Sequence, residues 1–221
     1  MIIAKGKELM VSNLMLRIIS GVCLASMAVA AICIGGLTFQ FLMFSCIILM
    51  LFEWFSISKN CKSKVLKISA PIYIIVPMIY WILISIFEQH ATVKKEIVTA
   101  FAIVWSCDIF AYFGGRLLKG PKLAPNISPN KTWSGAIVGA AATCFLFYVI
   151  DINNKLSIVA LLLLIVSSIL GDLLESKVKR YLNVKDTSNL IPGHGGILDR
   201  LDSFLLVSYI FIVLKIIASC K

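Results

Sequence analysis

The sequence predicts an all-α polytopic membrane protein, and three observations support that fold class. Hydrophobic residues make up 60% of the 221-residue chain and charged residues only 14%, whereas about a quarter of the residues in soluble proteins are charged. The mean hydropathy is +0.96. Apolar runs of about 20 residues, the length needed to cross the hydrocarbon core as a helix, follow one another along the chain. We therefore expect a single integral-membrane domain.

About seven membrane helices are predicted from the apolar runs and the charged or Gly/Pro-rich breaks between them. The long first run, followed at once by another, favours an uncleaved helix over a signal peptide cleaved near Ala28 to Ala31. The third helix is the least regular, because Pro71 and Pro77 either kink it or shorten it. The expected ranges are 12–34, 37–57, 68–87, 97–113, 133–150, 156–174 and 201–219.

The basic residues indicate how the chain is oriented. Sixteen Lys and Arg fall on one side of the predicted helices, among them Lys5, Lys7 and Arg17. Because cytoplasmic loops carry the excess of basic residues, we expect a cytoplasmic N-terminus and a C-terminus outside. The net charge of +10 sits in short loops at the membrane surface, where anionic lipid headgroups rather than nucleic acid are the expected partner. The five basic residues on the other side are Lys94, Lys95, Lys155, Lys215 and Lys221.

The cysteines are interpreted as packing residues. All seven fall singly, mostly inside apolar runs, and no Cys-x-x-Cys pair occurs. A zinc site or a disulfide framework is therefore not expected.

The most informative stretch runs from Gly171 to Ser203, where acidic and basic residues mix at one membrane face. On a helix, Asp172, Glu175, Ser176 and Lys179 recur at i, i+3, i+4 and i+7, which places them on one side. This stripe is expected to face a polar environment at the cytoplasmic end of the sixth helix.

The topology predicts that the carboxylates of this stretch converge. If the next helix begins near Leu201, residues 173–198 form a hairpin that returns Asp199 and Asp202 to the membrane level of Asp172 and Glu175. Two carboxylates about 4 Å apart repel by roughly 4 kcal/mol at an effective dielectric of 20, so the cluster calls for a cation. Mg²⁺, which prefers hard oxygen ligands and keeps substrate phosphates in its shell, is the candidate, and a second cation stays open.

The basic residues of the stretch have two interpretations. Lys179, Arg180, Lys185 and Arg200 either hold substrate phosphates or simply pair with the acids as a solvated interfacial network. Charge alone leaves both open.

A glycine-rich turn from Ile191 to Ile197 lies between Lys185 and Arg200. Gly193, Gly195 and Gly196 free the backbone to approach a ligand and to point N–H groups inward as an anion-binding nest. The alternative is an ordinary tight turn before a helix, in which His194 only caps or packs. As a lone histidine, His194 makes a poor metal site.

A second polar patch begins inside the fourth helix. Asp108 lies in an apolar span, where a carboxylate costs on the order of 2.5 to 3.5 kcal/mol, so it should face the bundle interior with a partner. Tyr112 lies one turn on, and Arg116 follows Gly114 and Gly115.

The patch continues through Ser128, Lys131 and Thr132, which place two hydroxyls and a cation on a proline-stiffened loop before the fifth helix. Such a loop can hold phosphate near a helix N-terminus, or it can be a plain helix start. Gly135 and Gly139 are interpreted as helix-packing residues. Glu53, near the end of the second helix, either reaches the interface or contacts the polar site.

The order of these motifs resembles the CDP-diacylglycerol synthase (phosphatidate cytidylyltransferase) family over residues 105–205. The upstream blocks are Asp108-x-x-Ala-Tyr112, Gly115-Arg116, Ser128-Pro-x-Lys-Thr132 and Gly171-Asp-Leu-Leu-Glu-Ser176. The signature itself is Ser176-Lys-Val-Lys-Arg180, then Lys185-Asp186, then Leu190-Ile-Pro-Gly-His-Gly-Gly-Ile-Leu-Asp-Arg-Leu-Asp202. Residues 1–100 resemble the family only in their hydropathy and in Glu53-Trp54, so they are interpreted as scaffold helices. Residues 101–221 are then the expected catalytic region.

The resemblance implies that a phosphatidate oxygen attacks the α-phosphorus of CTP, giving CDP-diacylglycerol and pyrophosphate. It also implies a homodimer in the cell's inner or plasma membrane, with the active site facing the cytoplasm. We expect Asp172, Asp199 and Asp202 to bind metal, and Lys179 and Arg180 to act with them in catalysis. Another CTP-using lipid enzyme, such as a polyprenol kinase, and a transporter are the alternatives. The substrate-binding residues are expected to be Asp108, Tyr112, Arg116, Ser128, Lys131, Thr132, Glu175, Ser176, Lys185, Asp186, Gly193, His194, Gly195, Gly196 and Arg200.

Overall fold

The computed structural model describes residues 2–150 and 157–220, with side chains over 15–149 and 157–220. Seven α-helices and one short β-hairpin form within these residues. The helices are α1 (Ile2–Ile34), α2 (Gly36–Ile57), α3 (Lys64–Phe87), α4 (His90–Leu118), α5 (Trp133–Ile150), α6 (Ile158–Tyr181) and α7 (Leu198–Ser219). The strands are β1 (Lys122–Ala124) and β2 (Ser128–Thr132).

The all-α membrane fold is confirmed. Six of the helices in the described part of the chain are long and apolar enough to cross a membrane. The remaining helix, α5, is apolar over Trp133–Val149, which corresponds to about 26 Å at 1.5 Å per residue, slightly less than a bilayer core. The chain is therefore an integral membrane protein. Lys155 and Lys221 lie outside the described residues, as do the side chains of Lys5 and Lys7, so the orientation stays a prediction.

Several predicted boundaries were wrong by more than one turn. Helix α1 begins at Ile2 instead of 12, and α3 begins at Lys64 instead of 68. Helix α4 runs from His90 to Leu118 instead of 97–113, because its polar ends continue the helix beyond the apolar run. Helix α6 continues to Tyr181, so residues 173–181 are helical and only 182–197 connect α6 to α7. Helix α3 is continuous, with Pro71 and Pro77 both inside it.

The chain divides into two compact units. Unit 1 comprises Met1–Lys94 and Val184–Arg200, and unit 2 comprises Lys95–Asn183 and Leu201–Lys221. In unit 1, α2 packs against α1 and α3, and its core includes Met50, Trp81 and Met78, each fully buried.

In unit 2, small residues bring α4 and α5 together. A Cβ on Gly135 would lie 2.6 Å from the Ala111 carbonyl oxygen, and one on Gly139 would lie 2.8 Å from that of Cys107. Because both distances are too short for a side chain, the Gly-x-x-x-Gly spacing serves packing, as the sequence indicates. Phe101 also stacks on Phe204 with ring centroids 4.2 Å apart.

The predicted proline-stiffened loop of unit 2 is a two-stranded antiparallel hairpin. Lys122 pairs with Thr132 and Ala124 with Ser128, and an irregularity lies between the two pairs. Pro129 is tolerated in β2 because each strand of a two-stranded sheet has an edge without a partner. The hairpin delivers the chain directly into α5.

Candidate active site

The predicted polar stripe on α6 is present. Ser176 donates to Asp172 Oδ1 at 3.2 Å, and Lys179 lies 3.4 Å from a carboxylate oxygen of Glu175. Asp172 also forms an ion pair with Lys131 of the hairpin. The Asp172–Ser176 and Glu175–Lys179 contacts have i, i+4 geometry because α6 continues to Tyr181.

Asp202, in the first turns of α7, adds a third carboxyl group to those of Asp172 and Glu175 in unit 2. It lies within hydrogen-bonding reach of Glu175, and the charges of Asp172 and Lys179 act on it. Two carboxyl groups can approach this closely only if they share a proton or a cation. Asp172, Glu175 and Asp202 therefore form an acidic cluster within unit 2, whereas the predicted convergence of Asp199 with them stays a prediction.

A cavity of about 800 Å³ opens beside this cluster in unit 2. Asp108 and Asp172 supply its carboxylates, so Asp108 lines a cavity that also contains cationic side chains, as expected for a charge within an apolar helix. Four cationic side chains against two carboxylates make the cavity suited to a phosphate-bearing ligand. Those cations are Arg116, Lys119, Lys122 and Lys131.

Two further residues of the cavity have local structural partners. Thr132 is buried and caps α5, because its hydroxyl accepts a hydrogen bond from Gly135 N at 3.1 Å. Tyr112 accepts a hydrogen bond from Arg116 at 2.8 Å. The helix-start interpretation therefore holds for Thr132, whereas Lys131 beside it points into the cavity.

Ser128 and Arg180 are among the predicted site residues of unit 2 that do not line the cavity. Ser128 pairs with Ala124 in the hairpin, and Arg180 donates to the Ile127 carbonyl at 3.3 Å. Lys185 is exposed. A ligand role for each of them stays a prediction.

In unit 1, the glycine-rich turn is built around internal contacts. Ile191 and Gly195 form an isolated antiparallel bridge. Gly193 and Gly195 have φ values of 77° and 84°, a left-handed conformation that favours glycine. Arg200 donates twice to the His194 carbonyl, at 2.6 and 3.0 Å. The turn is therefore a defined structure.

The N–H groups after this turn point at carboxylates of the protein itself. Gly196 N donates to Asp199 Oδ2 at 2.8 Å, and Ile197 N and Leu198 N each donate to Glu53 at 2.9 Å. These N–H groups are therefore bound by Asp199 and Glu53, and a role of the turn as a nest for a ligand anion stays a prediction. Asp199 Oδ2 accepts two more hydrogen bonds, from Thr187 N at 2.9 Å and from Thr187 Oγ1 at 3.0 Å.

Sequence interpretation missed Thr187 and Ser188 and left Glu53 undecided. The Glu53 carboxylate is 1% exposed and accepts hydrogen bonds from the hydroxyls of Thr187 and Ser188. Adjacent hydroxyl residues directly after Lys185 and Asp186 were the available signal, but nothing in the sequence shows that α2 supplies their acceptor. Asp186 itself is exposed.

His194 packs against α1 within unit 1. Its Nδ1 atom lies 2.9 Å from Ser20 Oγ, which also contacts the Pro192 carbonyl at 3.0 Å. Partial burial, with the nearby charges of Arg200 and Arg17, holds the pKa of His194 below its usual value, although a backbone contact with Pro192 acts the other way. The fold therefore favours the neutral ring.

We expect the His194 ring to titrate below its ordinary midpoint of about 6.5. Because the folded state disfavours the charged ring, its contribution to stability is present above that pH and is lost as the pH falls. The chain has two histidines, so ¹³C-histidine NMR of His90→Gln protein isolates the signal. Arg17→Gln should raise the midpoint. A midpoint at or above the ordinary value would contradict this account.

The fit of a divalent cation rests on the acidic cluster of unit 2. No group of three or more His, Cys, Asp or Glu side chains arranged to hold a metal ion occurs among the described residues. The predicted three-carboxylate ligand set of Asp172, Asp199 and Asp202 is therefore not found as a group. Mg²⁺ usually takes one or two carboxylates and completes its shell with water and substrate phosphates. Asp172 and Asp202 fit this requirement. That Asp199 shares the same ion stays a prediction.

These features describe an integral membrane protein with a cation-lined cavity, and comparison with known proteins identifies its family. The family model described as "Cytidylyltransferase family" matches residues 66–217. The chain therefore belongs to the cytidylyltransferase family.

Relatives named phosphatidate cytidylyltransferase are similar over nearly the whole chain. The one from Rickettsia bellii is 40% identical over 225 residues, which cover 94% of this chain and 95% of the relative. The one from Rickettsia typhi is 37% identical over 226 residues, covering 97% and 95%. A relative from Brucella abortus is 55% identical over 115 residues, covering 49% of this chain and 42% of its own length.

Proposed function

We propose that this chain transfers the cytidylyl group of CTP to phosphatidate, producing CDP-diacylglycerol and pyrophosphate. The observation that carries the proposal is the near full-length similarity to relatives named for this activity. The cationic cavity of unit 2 supplies a chemical reason, because both substrates are polyanions. Its volume of about 800 Å³ lies within the range of small-molecule sites.

The reaction needs positioning more than proton transfer. A phosphatidate oxygen forms a bond to the α-phosphorus of CTP, and the bond from that phosphorus to the bridging oxygen of pyrophosphate breaks. A phosphate monoester with a second pKa near 6 is mostly ionised at pH 7, so no strong general base is required. The protein must bring two anions into line and neutralise the leaving pyrophosphate.

The basic side chains of the cavity are assigned to the phosphates. Lys131, Arg116, Lys119 and Lys122 line one space, so they can offset the charge of the triphosphate and of the lipid phosphate. Lys179, held against Glu175, is a further cation beside the acidic cluster. The glycine-rich turn and Arg200 lie in the stretch from Leu190 to Asp202 that resembles the family signature. On that basis they are assigned to the same reaction.

Mg²⁺ is the proposed cofactor, held by Asp172 and Asp202 with Glu175 next to them, and a second cation stays open. When bound, Mg²⁺ would offset charge on the phosphates and the leaving pyrophosphate. The basic loop residues further favour a cytoplasmic face of the inner or plasma membrane, where CTP is available.

The test uses purified protein in phosphatidate-containing vesicles with CTP labelled on either the α- or the γ-phosphorus. The proposal predicts that the α-label appears in CDP-diacylglycerol and the γ-label in pyrophosphate. Transfer of the γ-label to a lipid alcohol, with CDP as the other product, would favour the lipid-kinase alternative. No labelled lipid from folded wild-type protein with Mg²⁺ would refute both.

A further inference from the structure

Glu53 is a buried carboxylate that organises the segment before α7. It lies in the last turns of α2, is 1% exposed and accepts four hydrogen bonds. Its Oε1 atom binds Ser188 Oγ at 2.6 Å and Ile197 N at 2.9 Å. Its Oε2 atom binds Thr187 Oγ1 at 3.1 Å and Leu198 N at 2.9 Å.

Two of these donors are the backbone N–H groups at the start of α7. The first N–H groups of a helix have no partner within the helix, and a negative charge at that end is stabilising. Glu53 therefore caps the start of α7 from α2. The fit is close, because a Cβ on Gly196 would lie 2.5 and 2.6 Å from the Glu53 oxygens.

Thr187 links this carboxylate to Asp199. Its buried hydroxyl lies 3.1 Å from Glu53 Oε2 and 3.0 Å from Asp199 Oδ2, and its backbone N–H donates to the same Asp199 oxygen. A hydroxyl carries a single hydrogen, so the carboxylates of Glu53 and Asp199 compete for it. The position of the Asp199 carboxylate therefore depends on that of Glu53.

We propose that Glu53 is a positioning residue for nucleotidyl transfer, which fixes residues 187–198 and, through Thr187, the orientation of the Asp199 carboxylate. This inference rests on the proposed function. Glu53 itself contacts the loop and the start of α7, so its effect on the reaction passes through Asp199 and the glycine-rich turn.

Glu53→Gln tests the proposal because the amide cannot replace both oxygens. Whichever oxygen becomes NH₂, it faces a backbone donor, Ile197 N or Leu198 N, that cannot reverse its role. Residue-resolved hydrogen–deuterium exchange of the full-length protein in lipid should show faster exchange of these amides and of Gly196 and Thr187. Exchange in α3 should stay unchanged, which separates a local effect from global unfolding.

In the labelled-CTP assay, we expect the kcat of Glu53→Gln to fall by about 10- to 100-fold, the range found for residues that orient catalytic groups. KM values should change little, and Glu53→Asp, which keeps the charge, should recover part of the lost kcat. The matched control is Glu88→Gln, the same change at an exposed position of unit 1.

The outcomes are separable. Unchanged exchange of Ile197 and Leu198 in Glu53→Gln, or wild-type kcat with accelerated exchange, would overturn the positioning role. Failure of wild-type protein to make CDP-diacylglycerol would refute the proposed function, whereas the exchange measurement would still report whether Glu53 holds the loop.

Discussion

Asp199→Asn is expected to lower turnover by at least about 100-fold, the scale on which a group that acts on transition-state charge contributes, while leaving the loop intact. The reason is geometric. Three hydrogen bonds, from Thr187 N, Thr187 Oγ1 and Gly196 N, converge on the single oxygen Oδ2. The amide oxygen of Asn can occupy that position and accept all three, so the substitution removes charge with little change of structure.

The measurement combines the α-labelled CTP assay with hydrogen–deuterium exchange of residues 184–198. Lost turnover with unchanged exchange is the expected pattern, and it differs from Glu53→Gln, where both change. Glu88→Gln again serves as a control that removes one negative charge from unit 1 at an exposed position. Wild-type turnover in Asp199→Asn would remove Asp199 from the catalytic assignment.

Asp172→Asn and Lys131→Met are expected to be the other severe changes, each lowering kcat/KM by about 100-fold or more. The two side chains form one ion pair at the wall of the cavity. Loss of the carboxylate weakens the acidic cluster, so its effect should appear mainly in kcat. Loss of the cation removes the phosphate contact proposed for Lys131, so its effect should include a higher KM for CTP.

A double-mutant cycle tests whether the pair acts as a unit. Because each residue orients the other, the double variant should be about as impaired as the worse single variant, far from the product of both effects. Lys177→Met, at an exposed position of the same helix, should retain wild-type kinetics. Fully multiplicative losses would mean that Lys131 and Asp172 work independently.

The helical stripe was predictable because its geometry is local. Asp172, Ser176 and Lys179 are separated by three or four residues on a continuous helix, and the contacts of the stripe follow directly from that spacing. The helix ends were less predictable, since polar residues such as those at 175–180 extend α6 beyond the apolar run that marks the membrane. Hydropathy identifies the buried part of such a helix but not its end.

The partners of the glycine-rich turn could not be predicted because they are distant in the sequence. Glu53 lies 134 residues before Thr187 in the chain, and no periodic pattern connects positions that far apart. The glycines indicated a turn whose N–H groups gather around an anion. That the anions are Glu53 and Asp199 depends on how α2 packs within unit 1.

The sequence by itself determined the membrane class, the succession of helices and the ordered motif that places the chain in its family. These follow from hydropathy, local periodicity and residue identity. Only the tertiary structure decided that Lys131 pairs with Asp172 in a cationic cavity and that Glu53 is the buried acceptor beneath the turn. Burial and hydrogen-bond geometry between distant segments are properties of packing, and packing determines which of the many polar residues become partners.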